Sequence, residues 1–372
     1  MLKDALAPIV SRFDFTGEWV EVEEIKTGHI NSTYRLGFVE PDGTQKQYVL
    51  QRINTVAFKK PVEVMENVLA VTEYLRAEML GKGMNPDNRV LRVIPLRSGP
   101  SMLLEHGECW RAYDFITNAI CLDRVDTPAE FTEIGRAFGR FQTMLADFPI
   151  DRLHDTIPDF HNTIKRLENF ERSVALDAAG RAAEVAEEIA FVRARKQPMG
   201  EIVRMLESGL IPARVTHNDT KINNVMLDAR THEALCVIDL DTVMAGSALY
   251  DFGDAIRYGA STASEDERDL SKVSLDLDLF RAFSDGFISE TAEGLTLTEL
   301  QKLPLGAMVM TFEVGLRFLT DYLDGDVYFR VECADHNLAR CRTQFRLLSD
   351  MEAKSGEMQA IIDALIGKYR RV

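Results

Sequence analysis

Residues 213–243 read ARVTHNDTKINNVMLDARTHEALCVIDLDTV, and this stretch decides the fold. Two short β-branched runs, Val225 to Leu227 and Ala234 to Ile238, flank a polar turn, which predicts a pair of strands. Each run abuts a polar cluster. His217-Asn218-Asp219-Thr220-Lys221-Ile222-Asn223-Asn224 precedes the first run, and Asp239 follows the second, 20 residues after Asp219.

The spacing has a chemical reading. H-x-D-x-x-x-x-N is the loop in which an aspartate positions an acceptor hydroxyl and takes its proton, while the asparagine turns back to hold magnesium on phosphates. Asp239, at the end of a hydrophobic strand, suits a second carboxylate that bridges magnesium to a triphosphate. The ordinary use of Asp and Asn at such places is an Asx turn or a strand-end cap, and the trio Asp219, Asn224 and Asp239 together exceeds that use. Lys221 either points a cation at the transferring phosphoryl or is an exposed lysine. His217 reads as a brace for the loop. Asp251-Phe252-Gly253 spells a magnesium motif of protein kinases, but it follows Gly246 to Tyr250 instead of a hydrophobic strand. The metal is therefore assigned to Asp239, and Asp251 to anchoring the loop from the next helix.

Working outward, residues 20–51 are extended in texture (VEVEEI, STYRLGF, QYVLQRI), with Gly28 and Asp42-Gly43 as turn signals, and predict three antiparallel strands. Apolar residues at Val64, Val68, Val71 and Leu75 predict a helix from Pro61 to Ala77, and a further β-rich stretch runs from Val90 to Ile116. Thr127-Pro128-Ala129-Glu130 is a capping box with proline at the first helical position, followed by Phe131, Ile134, Phe138, Phe141 and Leu145 on one face. A second helix is expected from about Arg181 until Pro198 interrupts it, a short one ends at Gly209, and the chain after 250 reads as mainly helical. The expected architecture is α+β and bilobal: residues 1–113 a β-rich N-lobe, 114–118 a hinge, 119–372 a helical C-lobe.

Composition narrows the partners. In 372 residues, 59 acidic against 43 basic side chains leave a net charge of −16, with 46% hydrophobic and 27% charged residues. That balance argues against a phosphate backbone as partner, so no nucleic acid is expected. The five cysteines are scattered without a Cys-x-x-Cys pair or zinc spacing. Reduced thiols in a cytoplasm are expected. The N-terminus lacks a signal-type apolar core, and no stretch reads as the roughly 18 apolar residues of a membrane span. Asn31-Ser32-Thr33 and Asn218-Asp219-Thr220 match the glycosylation pattern by coincidence on that reading.

These motifs resemble the aminoglycoside phosphotransferase and choline kinase superfamily. Within it, GHINSTY (28–34), VTHNDTKINNVM (215–226), VIDLDTVMAGSALYDFGDAIRYGAST (237–262) and GLRFLTDYLDGDVYF (315–329) are similar to the bacterial anomeric sugar kinases, the N-acetylhexosamine 1-kinases. The resemblance implies a protein-kinase-like fold that transfers the γ-phosphoryl of ATP to the C1 hydroxyl of N-acetylglucosamine or N-acetylgalactosamine, with Asp219 as base and Asn224 and Asp239 as magnesium ligands. It further implies sugar contacts from His29, Tyr258, Arg317 and Tyr328. For Arg317 a helix ion pair with Glu313, four residues earlier, is the competing expectation.

Departures from the pattern matter as much. No G-x-G-x-x-G is present, so Gly28, His29, Asn31 and Thr33 would have to serve the phosphates. The third strand offers Gln51 where most of the superfamily has a cation, with Arg52 facing the opposite side of a regular strand; Gln51 and Arg52 are the nucleotide-binding candidates there, and either Arg52 reaches in through a bulge or the triphosphate relies on magnesium and other donors. Glu63, Glu66 and Glu73 compete for the place of a helix glutamate. Tyr113 and Phe115, on the connecting segment, would flank the adenine, with backbone groups reading its edge. Two alternatives stay open: a kinase for choline, an aminoglycoside or an amino alcohol, for which Asp321, Asp324 and Asp326 around Tyr322 could build an acidic cage, and a noncatalytic nucleotide-binding protein.

Overall fold

Alternating burial along the N-terminal third builds an antiparallel sheet. The computed structural model describes residues 2–26 and 30–371. After α1 (Leu2–Val10) come β1 (Glu18–Ile25), β2 (Ser32–Val39) and β3 (Gln45–Ile53), then α2 (Pro61–Gly81) and β4 (Val93–Ile94), β5 (Leu103–Glu105) and β6 (Glu108–Asp114). The strand order is β1-β2-β3-β6-β4, with β5 on β6. Successive residues of β6 divide between the two faces. Trp110 and Ala112 join the cluster that includes Leu6 and Val10 of α1, while Cys109 and Tyr113 join that of Val64, Val68 and Leu75 of α2. The second cluster also contains Phe141, Val215 and Leu240, so one core ties the sheet to the helical part.

The rest of the chain runs β7 (Ala119–Cys121), α3 (Pro128–Met144), α4 (Thr163–Leu176), α5 (Ala186–Met199), α6 (Glu201–Glu207), β8 (Arg214–Thr216), β9 (Val225–Asp228), β10 (Ala234–Val237), β11 (Met244–Gly246), α7 (Ala248–Gly259), α8 (Leu277–Thr291), α9 (Leu297–Gln301), α10 (Leu303–Asp324), α11 (His336–Ala353) and α12 (Ser355–Tyr369). Helix α3 starts at the capping box: the Glu130 amide donates to Thr127 Oγ1, and the Thr127 amide donates to the Glu130 carboxylate. A cap of this kind contributes about 1 kcal/mol. Glycines then let α3 and α8 touch through their backbones. A Cβ at Gly135 would lie 2.3 Å from the Phe283 carbonyl oxygen, and one at Gly286 2.0 Å from that of Thr132.

The second expected helix, α5, ends one residue after Pro198, close to where that residue was expected to stop it, and begins at Ala186. Two expectations change. Helices α1 and α4 lie where no helix was expected. Helix α10 is long and apolar enough to pass as a membrane span on length and composition, with mean hydropathy 1.3; 78% of that window is buried inside the fold, as in a core helix.

Candidate active site

The loop after β8 is held by groups that leave little freedom. The Asp251 carboxylate, at the start of α7, accepts the His217 amide at 2.9 Å, the Asn218 amide at 2.8 Å and Gln142 Nε2 at 2.8 Å. Burial raises its pKa, yet all three neighbours are donors, so the ionised form is the one that fits. His217 Nδ1 accepts the Asp219 amide at 3.3 Å, which leaves Nε2–H to donate to the Ile238 carbonyl at 2.9 Å. One ring therefore stitches the loop to the strand that ends at Asp239. Thr220 Oγ1 donates to the Asp251 carbonyl, and Thr242 Oγ1 to that of His217. Asn218 and Asp239 both take left-handed backbone, φ 65 and 59, a conformation a non-glycine residue keeps only when its surroundings impose it.

On this frame Asp219 is partly buried and carries two neighbours. Lys221 Nζ lies 2.9 Å from its Oδ1, and Asn224 Nδ2 donates to its carbonyl at 2.8 Å and toward Oδ2 at 3.3 Å. Burial works against the Lys221 charge, but Asp219, with Asp254 behind it, holds the ammonium above its ordinary pKa. Lys221 is a permanent cation beside Asp219. Ile238 N–H donates to the Asn224 carbonyl at 2.9 Å, which ties the backbone just before Asp239 to the loop that carries Asp219 and Asn224.

Asp239 is solvent-accessible, with Asp241, Asp219 and Arg111 within electrostatic reach. Burial, then the Asp241 and Asp219 carboxylates, push its pKa up to about 6. A carboxylate that its neighbours hold back from ionising, with the Asn224 amide oxygen turned away from its protein-bonded nitrogen, suits a hard divalent cation. Among the described residues no cluster of three or more His, Cys, Asp or Glu could hold a metal alone. Magnesium needs none, since it keeps waters and takes one or two carboxylates plus substrate phosphates.

On the sheet side, Gln51 donates to Thr33 Oγ1 at 3.0 Å and accepts Arg111 Nε at 3.0 Å. Arg111 grips both oxygens of Asp241, the Nη2 bond being 2.9 Å, and Asn31 Nδ2 donates to the same carboxylate at 2.8 Å while its Oδ1 accepts the Asn54 amide. Arg52 departs from its expected role. The β2–β3–β6 register is regular, with no bulge at Arg52, and the side chain pairs with Glu108 at 2.7 Å and lies against the Trp110 ring on the far face. The expected backbone donors near the hinge are also spent: Asp114 N–H goes to Arg92 O and Phe115 N–H to Gln47 O. Tyr113 is buried against the Arg111 guanidinium. None of the three helix glutamates reaches Arg111: Glu63 pairs with Lys60, Glu66 with His154, and Glu73 is exposed. Gly28 and His29 lie outside the described residues.

On the acceptor side, Tyr258 stands within electrostatic reach of Lys221 on the helix that carries Asp254 and Arg257. Arg317 and Tyr328 meet, the guanidinium 5.9 Å from the ring centroid, with Phe160 and Phe329 also against it. Among the described residues no hydrogen bond or ring contact joins Tyr258 to that pair; its ring lies against Arg257. The expected Glu313–Arg317 ion pair does not form, because Glu313 faces the core and takes His161 Nδ1 at 2.8 Å and Thr163 Oγ1 at 2.7 Å. Two of the three aspartates of the expected cage are engaged: Asp321 accepts the amides of Val327, Tyr328 and Phe329 and the side chain of Asn337, and Asp326 pairs with Arg181. A cavity of about 380 Å³ lined by Asp155, Asp159, His161, Asn218 and Gly246 lies beside the loop. Another, apolar and about 320 Å³, lies between α2, α3 and β10 and touches none of the trio.

Sequence reasoning missed Arg111, Asp241 and His161. A signal existed for the first two: a lone arginine inside the apolar run 109–113, and a second aspartate two residues after Asp239.

Solved structures of other proteins share this fold. The solved structure of a microcompartment-associated aminopropanol kinase matches with TM-score 0.64 at 15% identity, covering 96% of this chain and 99% of that one. The amicoumacin kinase hAmiN in complex with AMP-PNP, Ca2+ and Ami matches at 0.60 and 14%, covering 93% of each chain. Choline kinase from Cryptosporidium parvum matches at 0.58 and 14%, covering 98% and 99%. At such identities the likeness is one of fold. A family model described as phosphotransferase enzyme family matches residues 21–282, well over half of the sequence, and the chain belongs to that family.

Proposed function

We propose that the protein transfers the γ-phosphoryl of ATP to the anomeric hydroxyl of an N-acetylhexosamine, N-acetylglucosamine or N-acetylgalactosamine, giving ADP and a sugar 1-phosphate. The observation that carries the kinase part is the bonded pair Asp219 and Asn224, with Lys221 against the aspartate and Asp239 within electrostatic reach on the adjoining turn, whose Ile238 bonds to Asn224. Asp219 accepts the proton of the C1 hydroxyl as its oxygen bonds to phosphorus and the bond to the ADP oxygen breaks. Lys221 offsets charge on the transferring group, and Asp251 keeps the loop fixed so that little reorganisation is needed. Asp239 and the Asn224 amide oxygen would hold magnesium, which when bound neutralises the phosphates. The Ile116 amide, beside the engaged donors of the connecting segment, is the donor we assign to the adenine edge.

For the acceptor, the engagement of Asp321 and Asp326 in their own loop speaks against a cationic cage there, and the Arg317–Tyr328 pair offers a flat ring and hydrogen-bond donors of the kind a neutral, hydroxyl-rich ring uses. A cationic alcohol is the second reading, favoured by the acidic lining of the cavity beside Asn218. Phosphorus NMR of the product tests the proposal: a phosphate doublet coupled to the anomeric proton is expected, lost in a folded Asp219→Asn variant. Phosphate on any other hydroxyl, or normal rates in that variant, would refute it.

A further inference from the structure

The cation that β3 lacks stands on the neighbouring strand. Arg111 lies opposite Gln51 in the β3–β6 register and is 1% exposed. Its fork closes on both oxygens of Asp241, 130 residues away in sequence and two residues beyond Asp239, while Nε donates to Gln51. Helix α2 presents Met65 to it, the sulfur 3.7 Å from Nη1, and no glutamate. The carboxylate that answers the sheet's cation therefore comes from the metal-bearing turn itself. Burial opposes both charges, and a buried ion pair adds little stability over apolar packing of the same volume. Stability alone gives no reason for it.

We propose that Arg111 is the fixed cation of the nucleotide site: through Asp241 it holds the Asp239 turn against the sheet and sets the charge that a metal–nucleotide complex meets there. Arg111 is a positioning residue, and the inference rests on the nucleotide and metal half of the kinase reading, whatever the acceptor. With the pair intact, a divalent cation meets Asp239 beside a neutral ion pair. Arg111→Gln leaves Asp241 as an extra anion near the cation, and Asp241→Asn leaves Arg111 as an uncompensated positive charge. A contact that merely braces the fold would weaken binding in both variants; a charge-setting pair moves magnesium dependence in opposite directions.

The test titrates magnesium into full-length wild type, Arg111→Gln, Asp241→Asn and the double variant with a fluorescent ATP analogue present, and reads the binding midpoint and the melting temperature without ligand. Because a unit charge a few ångströms from a divalent ion acts strongly even at a high effective dielectric, Asp241→Asn is expected to raise the magnesium midpoint about tenfold or more, and Arg111→Gln to lower it several-fold. The double variant is expected within about threefold of wild type, since the two opposite charges vanish together. If Arg111→Gln does not fold, Arg111→Lys decides: it keeps the charge and loses the fork, so its midpoint is expected to stay near wild type while its melting temperature falls. Midpoints that rise in both single variants, or that follow melting temperature alone, overturn the inference. Wild type that binds no nucleotide at any magnesium concentration overturns the kinase reading itself.

Discussion

Replacing Asp251 by asparagine strikes the support of the 217–224 loop without touching the groups proposed to react. The carboxylate accepts three hydrogen bonds, two of them from the amides of His217 and Asn218. Bonds to a charged acceptor contribute about 1.5–3 kcal/mol each, and a buried donor left unpaired costs about 1–3 kcal/mol. An amide in that place keeps one accepting oxygen and turns an NH2 group toward a donor, so the net loss is about 3 kcal/mol, short of the roughly 5–15 kcal/mol that keeps a domain folded. Thermal melting is then expected to drop by about 5 °C or somewhat more. The released amides immediately precede Asp219, and a displacement of about 1 Å at a reacting group costs about 100-fold in rate. Steady-state ADP release should show kcat down by about that factor, with KM for ATP within about threefold. A variant that melts and turns over like wild type would refute the anchoring argument.

Two further perturbations probe the scaffold. His161, Thr163 and Arg166 hold the Glu313 carboxyl below its usual pKa against the opposing effect of burial, so its contribution to stability is complete above the unfolded value of about 4.3 and is lost as pH falls through the lower folded value. Melting curves from pH 3 to pH 7 should therefore show a shallower acid limb for Glu313→Gln than for wild type; parallel limbs would contradict this. Gly286→Ala places a Cβ 2.0 Å from the Thr132 carbonyl oxygen, and pushing α8 off α3 should cost about 1–3 kcal/mol, visible as a lower melting temperature; an unchanged one would mean that the helices yield freely.

Local signals carried much of the fold. The three N-terminal strands, the capping box at Thr127 and the β9–β10 hairpin each follow from neighbours within a few residues, which is the range over which turn chemistry and periodicity act. Helix α2 runs past Ala77 to Gly81 because its last turn packs Met79 against the core, a tertiary effect. The site was legible in its loop, where chain spacing and chemistry coincide. It was illegible where the partner is distant. Arg111 finds Asp241 only through the pairing of lobes, and Glu313 turns from Arg317 to His161 because α10 is buried on that side, which a helical spacing of four cannot reveal. Arg52 followed its strand parity to the outer face, as a regular register requires.

The most direct measurement is magnesium-dependent ADP release by the purified protein with ATP and a panel of N-acetylglucosamine, N-acetylgalactosamine, their 1-deoxy analogues, choline and an aminoglycoside. Release with the free N-acetyl sugars, absent with the 1-deoxy forms and with both cationic alcohols, is the outcome this account predicts. Release with choline or the aminoglycoside and with neither N-acetyl sugar would contradict it.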